Sequence, residues 1–311
     1  MAPGRKLTWR PEFEQNMNNL KNFCKNPGLA DLTIFPKIRH PEHLCEKNFS
    51  IFFQKPLDKI NTLCYNNSTV KERNTPKEMN KIDRRHNYFI VLDTETANTT
   101  DEDGNFSTSS ALVYDLGFKV CDTAGNTYER YSFLIYDVFF QMKDIMSSAY
   151  YADKIPQYME DYKEGKRQCV RFLTARKILY EVMQKYETNI VSAHNARFDY
   201  GSLNATIRYL TKSKDRYFFP YGTEIWDSLK MANDTICKQK FYREFCEENG
   251  YMTKHKTPRV QATAEVLYRY ITHNVDFVES HTGAEDVDIE AEIVFKCIRQ
   301  HKKMRKKLWE N

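Results

Sequence analysis

Apolar side chains run unbroken from Tyr88 through Phe89, Ile90, Val91 and Leu92, and the run ends at Asp93. A short apolar run without alternation predicts a strand buried on both faces. Two more strands are predicted over Ala111–Val120 and Thr127–Tyr136, joined by Asp122-Thr123-Ala124-Gly125-Asn126, a hairpin signal. Leu173–Tyr186 reads as an amphipathic helix, because Ile178, Val182 and Tyr186 recur every four residues. Thr188–Ala193 is the next strand, and Asp199 falls in the first turns of the helix after it. Glu224–Trp226 makes a short strand, and Ala264–His273 and Ala284–Gln300 make helices. In the last helix Val287, Ala291, Val294 and Ile298 form one apolar stripe, with Asp286 beside it.

The pattern divides the chain. Residues 1–65 form an accessory segment in which Phe13, Met17, Leu20 and Phe23 have helical spacing. Residues 66–85 are polar, charged and poor in large apolar side chains, as in a linker. The main domain spans 86–300, and 301–311 is a basic tail. Residues 137–170 read as an insertion, where Tyr150, Tyr151, Tyr158 and Tyr162 accompany Lys154, Lys163, Lys166 and Arg167. Aromatics beside cations suit stacking on unpaired bases; a satellite core beneath a long connection is the plainer alternative.

Composition narrows the class. The 311 residues are 41% apolar and 29% charged, the balance of a globular soluble chain. No apolar run approaches the roughly twenty residues of a membrane span, so no membrane partner is expected. The start, Met1-Ala2-Pro3-Gly4-Arg5-Lys6, lacks the apolar core of a signal peptide. The cysteines show no paired CxxC spacing and read as free thiols in a reducing cytoplasm. Net charge is only +5. Its cations gather before Asp93 (Lys71 to Arg85), around Lys254, Lys256 and Arg259, and after residue 298. Such clusters are either solvated faces or contacts to a polyanion.

The chemistry resides in three acidic segments. They are Asp93-Thr94-Glu95, then Asn195-Ala196-Arg197-Phe198-Asp199, then His281-Thr282-Gly283-Ala284-Glu285-Asp286. Taken singly, each carboxylate has an ordinary explanation as a turn, a cap or an exposed helix residue. Asp93 and Glu95, however, are two apart and share one face of an extended chain. They also sit where a buried strand ends. If Asp199 and Asp286 converge there, the like charges cannot all stay ionised unaided. A hard divalent cation with oxygen ligands, Mg²⁺ or Mn²⁺, relieves the repulsion.

Together these segments resemble the three motifs of the DEDDh 3′–5′ exonucleases, the family of the proofreading epsilon subunit of DNA polymerase III, ribonuclease T and oligoribonuclease. Glu224 to Ala232 also resembles the strand-to-helix passage between the family's second and third motifs. Ala97-Asn98 stands where many relatives carry Thr-Gly. The resemblance implies an α/β, ribonuclease H-like fold: a mixed five-stranded sheet flanked by helices, with an N-terminal extension. It implies that Asp93, Glu95, Asp199 and Asp286 hold two Mg²⁺ or Mn²⁺ ions and that His281 is the general base. Thr94, Thr96, Asn195, Lys254 and Arg259 are the candidate substrate contacts. The partners implied are 3′ ends of single-stranded DNA or RNA, with DNA favoured. Proofreading would require a separate polymerase or other replication protein. The alternatives are an exoribonuclease of the same fold and a non-catalytic binding protein.

Overall fold

The structure is a computed structural model that describes residues 82–99, 107–147 and 149–310. The accessory segment 1–65 and most of the linker 66–85 lie outside the described residues. The strands are β1 (Tyr88–Ala97), β2 (Leu112–Asp122), β3 (Thr127–Ile135), β4 (Gln168–Val170), β5 (Ile190–Ala193) and β6 (Glu224–Asp227). They form one mixed sheet in the order β4-β3-β2-β1-β5-β6. β1, β2 and β3 are antiparallel neighbours, whereas β5 runs parallel to β1, β6 to β5, and β4 to β3. This is the mixed sheet expected, with a sixth strand. β4 is three residues long and adds to the edge through Phe133–Gln168 pairing, too short a segment to give a periodic signal in the sequence.

The helices are α1 (Tyr136–Phe139), α2 (Lys143–Ser147), α3 (Ile155–Lys163), α4 (Phe172–Lys185), α5 (Arg197–Thr211), α6 (Ser228–Asp234), α7 (Lys240–Glu248), α8 (Ala264–Thr272) and α9 (Gly283–Arg299). β1 is central and buried on both faces, with Phe89, Ile90, Val91 and Leu92 wholly covered. Each such side chain contributes roughly 1.5–3 kcal/mol. β1 does not stop at Asp93. It continues through Glu95 to Ala97, with a register shift against β2 after Glu95. Such a shift bends the strand and re-aims its side chains. α4 buries Phe172, Ala175, Leu179, Val182 and Met183. Its core stripe therefore runs through Leu179 and not Ile178, and Leu173, the expected first residue, is exposed.

α9 packs on β1, β2, α6 and α8 and is buried well beyond one stripe. Its first turn approaches β2 as closely as backbones can. A Cβ at Gly117 would lie 2.1 Å from the Gly283 carbonyl oxygen. Asp115 on β2 fixes this contact by accepting from the Gly283 N–H at 2.9 Å. Arg167, from the end of the insertion, holds Asp115 at 3.1 and 3.3 Å and also reaches Ser132, Asp161 and Glu285. The insertion thus locks the start of α9, three residues before Asp286.

The basic tail is docked. The Leu308 N–H donates to the Ile225 carbonyl, Lys306 receives the Asp227 N–H at its own carbonyl, and Leu308 is buried. Arg305 pairs with Asp234 and Lys307 with Glu224. Lys307 thus covers the edge strand β6, a use of basic residues on sheet edges, and Arg305 closes on the end of α6.

Candidate metal centre

Asp93 and Glu95 project from one face of β1, and Asp286 from the first turn of α9. One carboxylate oxygen from each lies within 4.8 Å of the others. Asp199 enters from the first turn of α5. Its Oδ1 accepts the Thr94 backbone N–H at 3.1 Å and the Thr94 hydroxyl at 2.7 Å, which ties the second motif to the first. Both Asp199 and Asp286 begin helices, where the helix dipole favours an anion.

Electrostatics in this cluster run against ionisation. Burial pushes Asp93 well above the usual carboxylate range, and the charges of Glu290, Asp199, Glu95 and Asp286 push it further. Burial, then Asp286 and Asp115, raise Glu95 to about 9. Burial and Glu279 raise Asp286 to about 8. Burial raises Asp199 to about 7 against the lowering effect of Thr94. Asp93 Oδ2 is buried without a hydrogen-bond partner. Crowded, orphaned carboxylate oxygens fit a hard divalent cation, which supplies the missing partner and offsets the repulsion.

His281 stands just before α9 with φ 50°. This left-handed turn lets its ring reach back, so that Glu279, His281 and Asp286 also place one ligand atom each within 4.8 Å. The ring stacks on Tyr151 at 4.7 Å between centroids and 15° between planes. Lys154 Nζ sits 5.0 Å from the Tyr151 centroid and donates to the Ser280 carbonyl. Burial and the Lys154 charge hold the His281 pKa below its ordinary value. Within the insertion Tyr158 is core, packed edge-on against Tyr114, while Tyr151 and Lys154 flank the carboxylates. Tyr150 is exposed.

The candidate substrate contacts separate. Thr94 and Thr96 are buried, and the Thr94 hydroxyl is engaged by Asp199. Thr94 thus supports the Asp199 carboxylate. Asn195 is exposed at φ 60°, its N–H donating to Asp227. Lys254 and Arg259 are exposed on a loop closed by the Met252–Val260 bridge, with Arg259 tied to Thr253. That loop leads into Ala262, whose carbonyl meets His194 Nε2 at 2.8 Å. The carbonyl requires a proton on Nε2, so Nδ1 accepts from the Ser228 hydroxyl at 2.9 Å. His194 is thus a neutral brace.

Two acidic residues escaped the sequence reading. Glu279 is two residues before His281, and burial raises it to about 7. Glu290 is buried on α9, one turn beyond Asp286, among the apolar stripe. The i, i+4 spacing from Asp286 and a charge inside an apolar stripe were the available signals.

No protein-family model matches this sequence, and no curated protein does. Solved structures do. One is a full-length 3′-exonuclease, at TM-score 0.45 and 12% identity over 71% of this chain and 85% of that one. Another is the nuclease domain of 3′hExo, a DEDDh family member, bound to rAMP, at TM-score 0.42 and 12% identity over 72% of this chain and 98% of that one. A third is S. pombe Pop2p in its Mg²⁺- and Mn²⁺-bound form, at TM-score 0.38 and 14% identity over 68% of this chain and 83% of that one. The functional reading rests on the side chains just described.

Proposed function

We propose that this chain is a metal-dependent 3′–5′ exonuclease that hydrolyses single-stranded nucleic acid to nucleoside 5′-monophosphates. The observation that carries the reading is the convergence of Asp93, Glu95, Asp199 and Asp286 with His281 along the second half of the central strand. Asp93, Glu95 and Asp286, with Asp199 beside them, would hold two Mg²⁺ or Mn²⁺ ions. Bound there, such ions supply Lewis-acid activation of water and neutralise charge on the phosphate.

The remaining work falls to the chain. His281 accepts the proton of the attacking water, and Tyr151 fixes its ring by stacking. The water oxygen bonds to phosphorus, the P–O3′ bond breaks, and the departing O3′ takes a proton from solvent, so the shortened strand ends in a 3′-hydroxyl. The lowered pKa keeps the His281 ring neutral and able to accept a proton at neutral pH. Lys154 supplies a cation beside the carboxylates for the phosphate of the terminal nucleotide. Tyr150, exposed next to Tyr151, offers a face for an unpaired base. Free thiols at Cys121, Cys169, Cys237, Cys246 and Cys297 support a reducing, cytoplasmic setting. Among the described residues no helix is long and apolar enough to cross a membrane. The test is a panel of end-labelled single-stranded DNA and RNA of equal sequence, with Mn²⁺ and with EDTA. Hydrolysis in both arms of the metal comparison would contradict the proposal.

A further inference from the structure

Glu290 is 3% exposed, on a helix whose neighbouring positions Val287, Ala291 and Val294 are apolar. An alkyl side chain would continue that surface. Instead a carboxylate is enclosed, with Oε1 accepting the His194 backbone N–H at 3.0 Å. The other oxygen, Oε2, has no hydrogen-bond partner, and neither has Asp93 Oδ2. Leaving a buried polar atom unpaired is costly, and more so when it carries charge. Capping the His194 amide needs only one neutral acceptor and does not account for the second oxygen.

The enclosed carboxylate belongs electrically to the cluster. Among charged neighbours Glu290 acts most strongly on Asp93, and Asp199 acts most strongly on Glu290. Glu290 stands one turn beyond Asp286 of the third motif and accepts from the residue that precedes Asn195 of the second, so its carboxylate lies between the two motifs. Helical spacing places residues 286 and 290 on one face of α9.

We propose that Glu290 is a fifth carboxylate of the metal centre, its free oxygen setting divalent-cation affinity on the Asp93–Asp199 side. The inference rests on the metal-dependent reading above and adds a residue to it.

The test is calorimetric titration of metal-stripped, full-length protein with Mn²⁺ alone, at fixed pH. E290Q retains an acceptor for the His194 N–H and removes the charge. Its expected behaviour is a native circular dichroism spectrum, with one Mn²⁺ binding event weakened at least about ten-fold, the scale for groups supporting a metal site. E290M, which keeps volume and removes both oxygens, should show the same loss. Wild-type affinity and stoichiometry in both variants would overturn the assignment of Glu290 alone. A wild-type protein that binds no Mn²⁺ would overturn the metal reading and this inference with it.

Discussion

At the scale of single residues, Asp93 and Asp286 are burdens on the folded chain in the absence of a cation. Each is surrounded by other carboxylates; Asp286 is buried, and Asp93 is half-buried with one oxygen covered. Asp93→Asn and Asp286→Asn should therefore abolish metal-dependent hydrolysis while leaving the metal-free fold as stable as wild type or more so. Activity assays beside thermal melts check this; a folded variant with wild-type turnover would remove the residue from the metal centre. His281 should behave otherwise. As a proton acceptor it contributes roughly 10²–10⁴-fold in rate. His281→Ala is expected to lose that much turnover and still bind Mn²⁺ by calorimetry. Loss of Mn²⁺ binding with unchanged turnover per bound ion would make His281 a ligand.

At the scale of elements, the joint between β2 and α9 decides whether Asp286 meets Glu95. Gly117 and Gly283 allow the approach, and the buried Arg167–Asp115 pair holds it. Arg167→Met would leave Asp115 enclosed and unpaired. Breaking a buried pair from one side costs about 3–5 kcal/mol. Chemical denaturation should show a loss of that order, and a change below about 1 kcal/mol would mean that the insertion does not anchor α9. This joint was only partly legible in the sequence. The apolar run of β1, the hairpin at Asp122, the long helices and the three acidic motifs are local signals, and each marked its element. The β4 edge strand, the Arg167–Asp115 lock and the docking of Leu308 on β6 depend on partners far along the chain, for which no periodicity exists. The bond from the Thr94 hydroxyl to Asp199, 105 residues away, was likewise illegible in the sequence.

At the scale of the whole molecule, the acidic centre makes stability depend on pH and on divalent cations. In the unfolded chain Asp and Glu ionise near ~4. In the folded, metal-free protein Asp199 ionises at about 7, Asp286 at about 8 and Glu95 at about 9. The folded state holds protons that the unfolded chain has released, so stability falls as pH rises across this window and levels off above the folded values. Melting temperature without metal should decline from pH 5 to pH 9, and Mn²⁺ should restore it most at the upper end. A metal-free melting temperature that rises over this range would contradict the burial of these carboxylates. The described residues also contain all the residues assigned here to catalysis, so a chain beginning at Asp83 should retain metal-dependent activity on short single strands. The most direct measurement of the central claim resolves, at single-nucleotide length, the products from 5′-labelled and 3′-labelled single strands with Mn²⁺ and with EDTA. The account predicts a ladder shortening one nucleotide at a time from the 3′ end, release of nucleoside 5′-monophosphates, and complete dependence on the cation. Intact strands with Mn²⁺, or products that begin at internal positions or at the 5′ end, would contradict it.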